Sequence, residues 1–479
     1  MRDDVTFREK VGYGFGDMAS SMFWKIFGMY LLFFYTKVFG ITPAAAGTMF
    51  LLTRIWDSLN DPVMGLLADR TRSRWGRYRP YLLWGAVPFA VVGVLTFWTP
   101  GFGMTGKLVW AYVTYTAMMM VYTVVNVPYA SLLGVMTSDT KARNSFSSYR
   151  MFFAYIGSLL TFMLLQPLVD FFAGWRGGDA VVLNETVAGS DVAISGMPEA
   201  WTCAVAVIGT LCTLLFWLCF RWTRERIRDD DRQHGGGSVG RDLKSLVNNA
   251  PWWILLVAGV AVLLFNSIRD GVAIFYFTDY VRSSYKLPHL GWTLGTLYLL
   301  LGQLGNMAGV ALAVPLAARI GKKGAFAAAM GVAAVLSVFF FRLKPSDLEW
   351  LFALQALVSV AAGIVLPLLW SMYADIVDYE EYRSGRRPTG LILSSSSMSQ
   401  KLGWALGGAV TGWLLAAFGY DQSAAAQSGG AIEGVRLMMS WLPAAGCLLA
   451  AGAVLFYPLG EKRMTRIASE LALRRKTNE

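Results

Sequence analysis

Hydrophobic residues make up 55% of this 479-residue chain and charged residues only 15%, where soluble domains carry about a quarter charged residues. A soluble globular protein is therefore excluded. The net charge of +11 does not require nucleic acid as a partner, because the basic residues fall in short segments between apolar runs, the pattern that orients a chain in a lipid bilayer.

Twelve apolar runs are long enough to cross a bilayer, which takes roughly 20 residues. They lie near 11–37, 43–68, 80–99, 107–136, 147–172, 201–222, 251–281, 290–318, 323–343, 349–378, 391–418 and 433–458. Only helices satisfy their own backbone in lipid over such lengths, so the expected fold is an all-α membrane protein of twelve transmembrane helices. The opening stretch, MRDDVTFREK, has no apolar core with a small-residue cleavage site, so no cleaved leader is expected. Cys203, Cys212, Cys219 and Cys447 lie in apolar runs without a zinc or redox spacing and read as packing residues.

The first run holds Gly12-Tyr13-Gly14-Phe15-Gly16-Asp17. Its glycines permit close helix approach. Asp17 is an intramembrane carboxylate that either accepts hydroxyls of a ligand or pairs with a buried cation such as Lys25 or Lys401. The second run holds Arg54-Ile55-Trp56-Asp57-Ser58-Leu59-Asn60-Asp61-Pro62. Asp57 and Asp61, four residues apart, share one helical face. Carboxylates and an arginine inside a span are costly and mark an ion or substrate pathway, or else form an internal salt bridge. In the fourth run Tyr122, Asn126 and Tyr129 fall on one face. Asn126 suits a hydroxyl-rich ligand, Thr123 can offer oxygen to a cation, and Pro128 interrupts the helical bonding. Asp57, Asn60, Asp61 and Thr123 together supply oxygen ligands of the kind hard cations take. A proton could use the same carboxylates.

Arg150, near the start of the fifth run, either forks onto ligand oxygens or snorkels to the interface. Arg269-Asp270 in the seventh run reads as a gate or structural pair. Lys401 lies about ten residues into the eleventh run, behind Ser394-Ser395-Ser396-Ser397, and partners a carboxylate or a substrate. His234 and His289 both sit in loops, which disfavours a histidine relay, and neither a phosphate-binding loop nor a voltage-sensing arginine series occurs.

Every even-numbered loop is basic, as in Asp69-Arg70-Thr71-Arg72-Ser73-Arg74-Trp75-Gly76-Arg77-Tyr78-Arg79-Pro80, while odd-numbered loops are poorer, with exceptions such as Lys37. Both termini are therefore expected in the cytoplasm. The charged, Gly-rich linker after Arg221 divides the chain into a first six-helix half, 1–222, a linker, 223–250, and a second half, 251–479. A weak echo between the halves pairs Pro128 and Asp139 with Pro367 and Asp378, eleven residues apart in each case. The outer loop near 174–200 carries a sequon-like Asn184-Glu185-Thr186.

With these residues in view, the chain resembles the glycoside–pentoside–hexuronide:cation symporters, the melibiose-permease group of the major facilitator superfamily. The resemblance rests on Gly12 to Asp17, Tyr30-Leu31 to Phe34-Tyr35-Thr36, Asp57 to Gly65, DRTRSRWGRYRP at 69–80, NVPYAS at 126–131, and ADIVDYEEY at 374–382 with Gly385. It implies two six-helix bundles around a central site in a bacterial inner-membrane protein. It implies symport of a small-molecule sugar or glycoside with Na⁺, H⁺ or Li⁺, by a functional monomer that has no other cofactor and is not an enzyme. It implies a cation site at Asp57, Asp61 and Thr123 and sugar contacts at Asp17, Arg150 and Lys401; the residues read above add Asn60 to the expected cation group and Tyr122 and Asn126 to the expected sugar site. Asp69, Arg70, Arg77, Arg79, Asp375, Asp378 and Arg383 are expected to form cytoplasmic ion-pair clusters. Members that carry melibiose have a carboxylate at the position of Asn126 and a tryptophan at that of Ala130, so the sugar here is expected to differ, with an acidic sugar one option. The alternatives are an uncoupled facilitator or a carrier of an amphiphilic lipid. A membrane sensor is disfavoured by tails of only about ten and twenty residues, too short for a signalling domain.

Overall fold

The computed structural model describes residues 5–137, 140–175, 197–226, 246–282, 287, 292–385, 389–422, 424 and 426–477. Asp139, Asn184, His289, the linker residues 227–245, and the side chains of Asp69 and Ser394 to Ser397 lie outside the described residues. The described residues are helical throughout, with no strand. The helices are α1 (Phe7–Phe39), α2 (Pro43–Arg70), α3 (Arg79–Thr96), α4 (Met104–Met136), α5 (Thr140–Trp175), α6 (Pro198–Trp222), α7 (Ala250–Val281), α8 (Leu294–Phe339), α9 (Leu348–Ser384), α10 (Thr389–Ala417), α11 (Gly429–Met439), α12 (Trp441–Leu455) and α13 (Glu461–Thr477). Among the described residues, nine helical stretches are long and apolar enough to cross a membrane.

Local chemistry sets the helix ends. Thr6 and Glu9 close a reciprocal capping box at the start of α1, with Glu9 N donating to Thr6 Oγ1 at 3.3 Å and Thr6 N to Glu9 Oε2 at 3.0 Å. Glu9 is also forked by Arg226, whose Nη2 lies 2.8 and 2.9 Å from its two oxygens. Thr42 caps α2 directly before Pro43, where a missing N–H costs nothing. The backbone N–H groups of Arg77, Tyr78 and Arg79 all donate to the Glu225 carboxylate, at 2.7, 2.8 and 3.0 Å, so an acidic side chain from beyond α6 serves the positive start of α3. At Gly321, α8 breaks: φ is +73° there, a conformation that a side chain rarely adopts. Two π-helical turns interrupt α1, at Ile26–Tyr30 and Phe34–Phe39, and one ends α7, at Tyr276–Val281.

The contacts resolve into two compact units. The first joins Met1–Arg232 with Ala273–Leu300 and Gly408–Glu433; the second joins Gln233–Val272, Leu301–Gly407 and Gly434–Glu479. Each of α7, α8 and α10 thus contributes one end to the first unit and the rest to the second. Within the first unit α1 packs most extensively on α5. They come to backbone contact at Gly157, where an added Cβ would collide with the Met18 carbonyl. One turn on, Thr161 Oγ1 donates to Met22 O at 3.2 Å. Small residues let intramembrane helices approach to backbone contact, where dispersion and hydrogen bonding replace the missing hydrophobic drive. Gly12, Gly14 and Gly16 use the same device against Trp222, Phe153 and Tyr129.

Within the second unit, Asn249 Nδ2 donates to Glu380 Oε2 at 2.8 Å and Lys322 Nζ meets both Asp375 oxygens at 2.8 Å. Arg269 is buried. Its guanidinium donates to Gln355 Oε1 at 2.6 Å and Ser337 Oγ at 3.4 Å, and lies 4.5 Å from the centre of the Phe340 ring. These contacts favour the structural reading of the Arg269-Asp270 step over a gating one.

Gly157→Ala is expected to destabilise the protein by about 1–3 kcal/mol, the usual cost of overpacking. Gly134→Ala, where an added Cβ meets nothing within 4 Å, should be neutral. Thermal unfolding of the two variants side by side checks this.

Candidate functional site

The site begins with the two faces of α2. Leu52, Trp56, Val63 and Leu67 point outward, each more than half exposed, while Thr53, Arg54, Asp57, Met64 and Ala68 are buried. A charge at the centre of a span costs about 3 kcal/mol on insertion scales. Arg54, Asp57 and Asp61 together would cost roughly 9 kcal/mol if turned to lipid. The helix avoids this by placing its charges on the inward stripe.

There, α4 meets them. Thr123 Oγ1 lies 2.8 Å from Asp57 Oδ1 and 3.1 Å from Asp61 Oδ1, so one hydroxyl spans both carboxylates. Arg54 Nη1 stands 4.0 Å from Asp57 Oδ2, and its guanidinium stacks 4.4 Å from the centre of the Trp24 ring. The structure thus brings Asp57, Asp61 and Thr123 together. Asn60 is half-buried on the same helix, and among the described residues no hydrogen bond ties it to this group.

A second cluster lies along α1. Arg150 Nε donates to Asp17 Oδ2 at 3.0 Å, and the Arg150 guanidinium lies 5.4 Å from the centre of the Tyr129 ring. Asp17 therefore pairs with Arg150, 133 positions away in sequence. Arg150 in turn points inward to a carboxylate. Both side chains keep partial exposure, 15% for Asp17 and 34% for Arg150, so the pair remains approachable.

The aromatic face of α4 divides in function. Tyr129 is fully buried, stacks on Tyr13 at 4.7 Å between ring centres and donates its hydroxyl to Tyr13 O at 2.7 Å, which makes it a packing residue. Tyr122 is only half-buried and lies 5.6 Å from the Trp24 ring. Asn126 Nδ2 donates to Tyr122 O at 3.2 Å, which leaves its other N–H and its oxygen for further partners. Trp24 is the residue that sequence reasoning missed. It touches Arg54 on one side and Tyr122 on the other, and so lies between the two clusters. Its position seven residues after Asp17, two helical turns along the same face, was the available signal.

Lys401 is half-buried on α10 in the second unit. The basic and acidic loop residues are distributed among separate contacts. Arg79 donates to Phe220 O and Trp75 O within the first unit. Arg70 is exposed at the end of α2. In the second unit Asp375 holds Lys322, Asp378 lines a cavity beside it, and Arg383 Nη1 donates to Asn248 O at 3.1 Å.

A further group in the first unit joins the ends of α1 and α7. Lys37 Nζ lies 3.7 Å from Asp279 Oδ1, Tyr420 donates to Asp279 Oδ2 at 2.6 Å, and Lys37 sits 4.9 Å from the Tyr420 ring centre. Burial and the adjacent Asp279 carboxylate raise the Tyr420 phenol well above its ordinary pKa, so it remains a proton donor. Close by, Trp413 Nε1 donates to Thr48 Oγ1 at 3.0 Å.

A family model described as MFS/sugar transport protein matches residues 12–461. YagG of Escherichia coli strain K12, provisionally named a glycoside/cation symporter, is 36% identical over 470 residues that cover 98% of this chain and 95% of that protein. The isoprimeverose transporter of Lactiplantibacillus pentosus is 33% identical over 95% of this chain and 89% of its own. A crystal structure of a bacterial homologue of the human lysosomal transporter Spinster superposes with a TM-score of 0.66 at 13% identity, covering 94% of this chain and 96% of that one; this likeness concerns the fold. The protein is thus a multi-pass membrane transporter of the major facilitator type, not an enzyme. Within that class, it belongs to the glycoside–pentoside–hexuronide:cation symporter family.

Thr123→Val keeps the shape of the side chain and removes the hydroxyl between Asp57 and Asp61. It is expected to destabilise by about 1–3 kcal/mol, the cost of withdrawing a donor from buried acceptors. Thr123→Ser should retain most of the stability. Unfolding temperatures of both variants at one salt concentration test this.

Proposed function

We propose that the protein is a sugar:cation symporter of the inner membrane that works by alternating access. The observation that carries this reading is the Thr123 hydroxyl between two intramembrane carboxylates, Asp57 and Asp61, beside but distinct from the Asp17–Arg150 pair. One oxygen-only group suits a small hard cation. The other offers a carboxylate and a guanidinium fork to hydroxyls. The names of the relatives, which include glycoside and isoprimeverose carriers, agree with a glycoside or pentoside as the cargo.

In this reading Na⁺, H⁺ or Li⁺ binds at Asp57, Asp61 and Thr123, with Asn60 at the edge. The sugar is held by Asp17, Tyr122, Asn126 and Arg150, and Lys401 joins from the second half. Arg54 neutralises Asp57 when the cation is absent. Cation binding releases Arg54, and Trp24, in contact with both Arg54 and Tyr122, transmits the change. Twelve spans follow if α2, α10 and the two segments of α8 divided at Gly321 are counted with the other apolar helices. The basic loops then place both termini in the cytoplasm, and the chain divides at the 223–250 linker into two six-helix bundles. Lys37, Asp279 and Tyr420 form the gate on the outer side. Asp69, Arg70, Arg77, Arg79, Asp375, Asp378 and Arg383 belong to the cytoplasmic one. The working unit is a monomer.

Asp61→Cys is expected to abolish concentrative sugar uptake in membrane vesicles while sparing equilibrium exchange. The assay is run over a panel of glycosides, pentosides and glucuronides, against Na⁺ and pH gradients. Full concentrative uptake by the variant refutes the cation assignment. Wild-type uptake that ignores every ion gradient identifies an uncoupled facilitator instead.

A further inference from the structure

A second polar site lies in the second unit; none of the residues assigned to bind the sugar or the cation lines it, while Asp375 and Asp378 of the proposed cytoplasmic gate do. It is a cavity of about 990 Å³, at the upper end of the roughly 300–1,000 Å³ range of small-molecule sites. Its walls are the corner where α8 breaks at Gly321, one turn of α9, and the connection from α12 into α13. Five cationic side chains line it, Arg319, Lys322, Lys323, Lys462 and Arg463, against the anionic Asp375, Asp378 and Glu461. One carboxylate is already engaged, since Asp375 holds Lys322 through both oxygens. The walls are fixed by side chain to backbone bonds. Lys323 Nζ donates to Tyr457 O at 3.0 Å, and the Tyr457 hydroxyl donates to Met372 O at 3.2 Å. Helix α13 is anchored by Ile467 and Leu471, both nearly fully buried, so Lys462 and Arg463 are held at the cavity rather than on a loose tail.

The mouth carries the second part of the pattern. Ile320 and Leu455 line the cavity and are 50% and 61% exposed, and Phe456 beside them is 80% exposed. These apolar side chains sit at the break in α8 and at the end of α12, at the level where a span leaves the hydrocarbon. A soluble anion has no use for such a rim, whereas a phospholipid presents a phosphate and two acyl chains at one point. We propose that this cavity binds the headgroup of an anionic phospholipid, with its phosphate on Lys323, Lys462 and Arg463 and its chains along Ile320, Leu455 and Phe456. Basic pockets between spans on the cytoplasmic side are suited to such headgroups. The assignment rests on the orientation proposed above, which labelling of a cysteine introduced at Ser469 from either side of the membrane checks independently.

The test uses the purified full-length protein in detergent at one ionic strength, with three probes: phosphatidylglycerol, phosphatidylcholine and inorganic phosphate. Phosphatidylglycerol alone is expected to raise the unfolding temperature, because a ligand that binds the folded state stabilises it by mass action. Lys462→Gln/Arg463→Gln removes two exposed charges and should weaken phosphatidylglycerol binding by roughly tenfold or more. Arg72→Gln/Arg74→Gln, a pair of surface charges elsewhere, should leave it unchanged. Native mass spectrometry of retained lipid gives a second readout, and Lys462→Gln alone substitutes if the double variant folds poorly. Equal stabilisation by phosphatidylcholine, or full phosphatidylglycerol binding by the Lys462 and Arg463 variants, overturns the proposal. Equal, variant-sensitive stabilisation by inorganic phosphate also overturns it, and assigns the cavity to a soluble phosphate compound.

Discussion

Charge inside hydrocarbon is the constraint on which the first unit of this structure depends. Arg54, Asp57 and Asp61 are tolerable on α2 only because every turn that carries them faces protein. Their partners then dictate what must surround α2: a hydroxyl from α4, supplied by Thr123, and an aromatic face from α1, supplied by Trp24. The same argument applies two turns earlier along α1, where Asp17 requires Arg150 from α5. That pairing demands close approach of the two helices, which Gly157 permits and Thr161 secures. The small residues of α1 and α5 are therefore part of how the polar site is built.

Much of this was legible in the sequence. A four-residue spacing places Asp57 and Asp61 on one face whatever the tertiary structure, and cost alone argues that the face is inward. Thr123 as their partner followed from the oxygen-only chemistry of the group. The Asp17–Arg150 pair was not legible, because helical spacing carries no information across 133 positions, and Lys25 and Lys401 were equally plausible cations. Tyr129 shares its helical face with Tyr122 and Asn126, yet its hydroxyl is spent on the Tyr13 carbonyl. Periodicity identifies a face; it does not say which part of that face is packed shut.

The loop charges show the same limit. Their count supports an expected orientation, but their partners are set by where helices end. The three N–H groups at the start of α3 draw Glu225 onto them, and Arg79 turns to the Phe220 carbonyl at the end of α6, both satisfying orphan helix-terminal groups. Lys37 appeared in sequence only as an exception to the basic-loop pattern. Its placement beside Asp279 and Tyr420 accounts for that exception. A cation that breaks the topology rule is held by a carboxylate from a helix more than two hundred residues away.

In the proposed mechanism the cation group and the sugar group are energetically linked through Arg54, Trp24 and Tyr122. Linkage of this kind is reciprocal: the factor by which the cation raises sugar affinity equals the factor by which sugar raises cation affinity. The most direct measurement is calorimetric titration of the purified protein with its transported sugar, with and without saturating Na⁺ or Li⁺ and across pH, followed by the converse titration of cation with and without sugar. The account predicts at least about a fivefold mutual enhancement, equal in both directions and lost in Trp24→Ala. Sugar binding that is indifferent to every cation and to pH would contradict it.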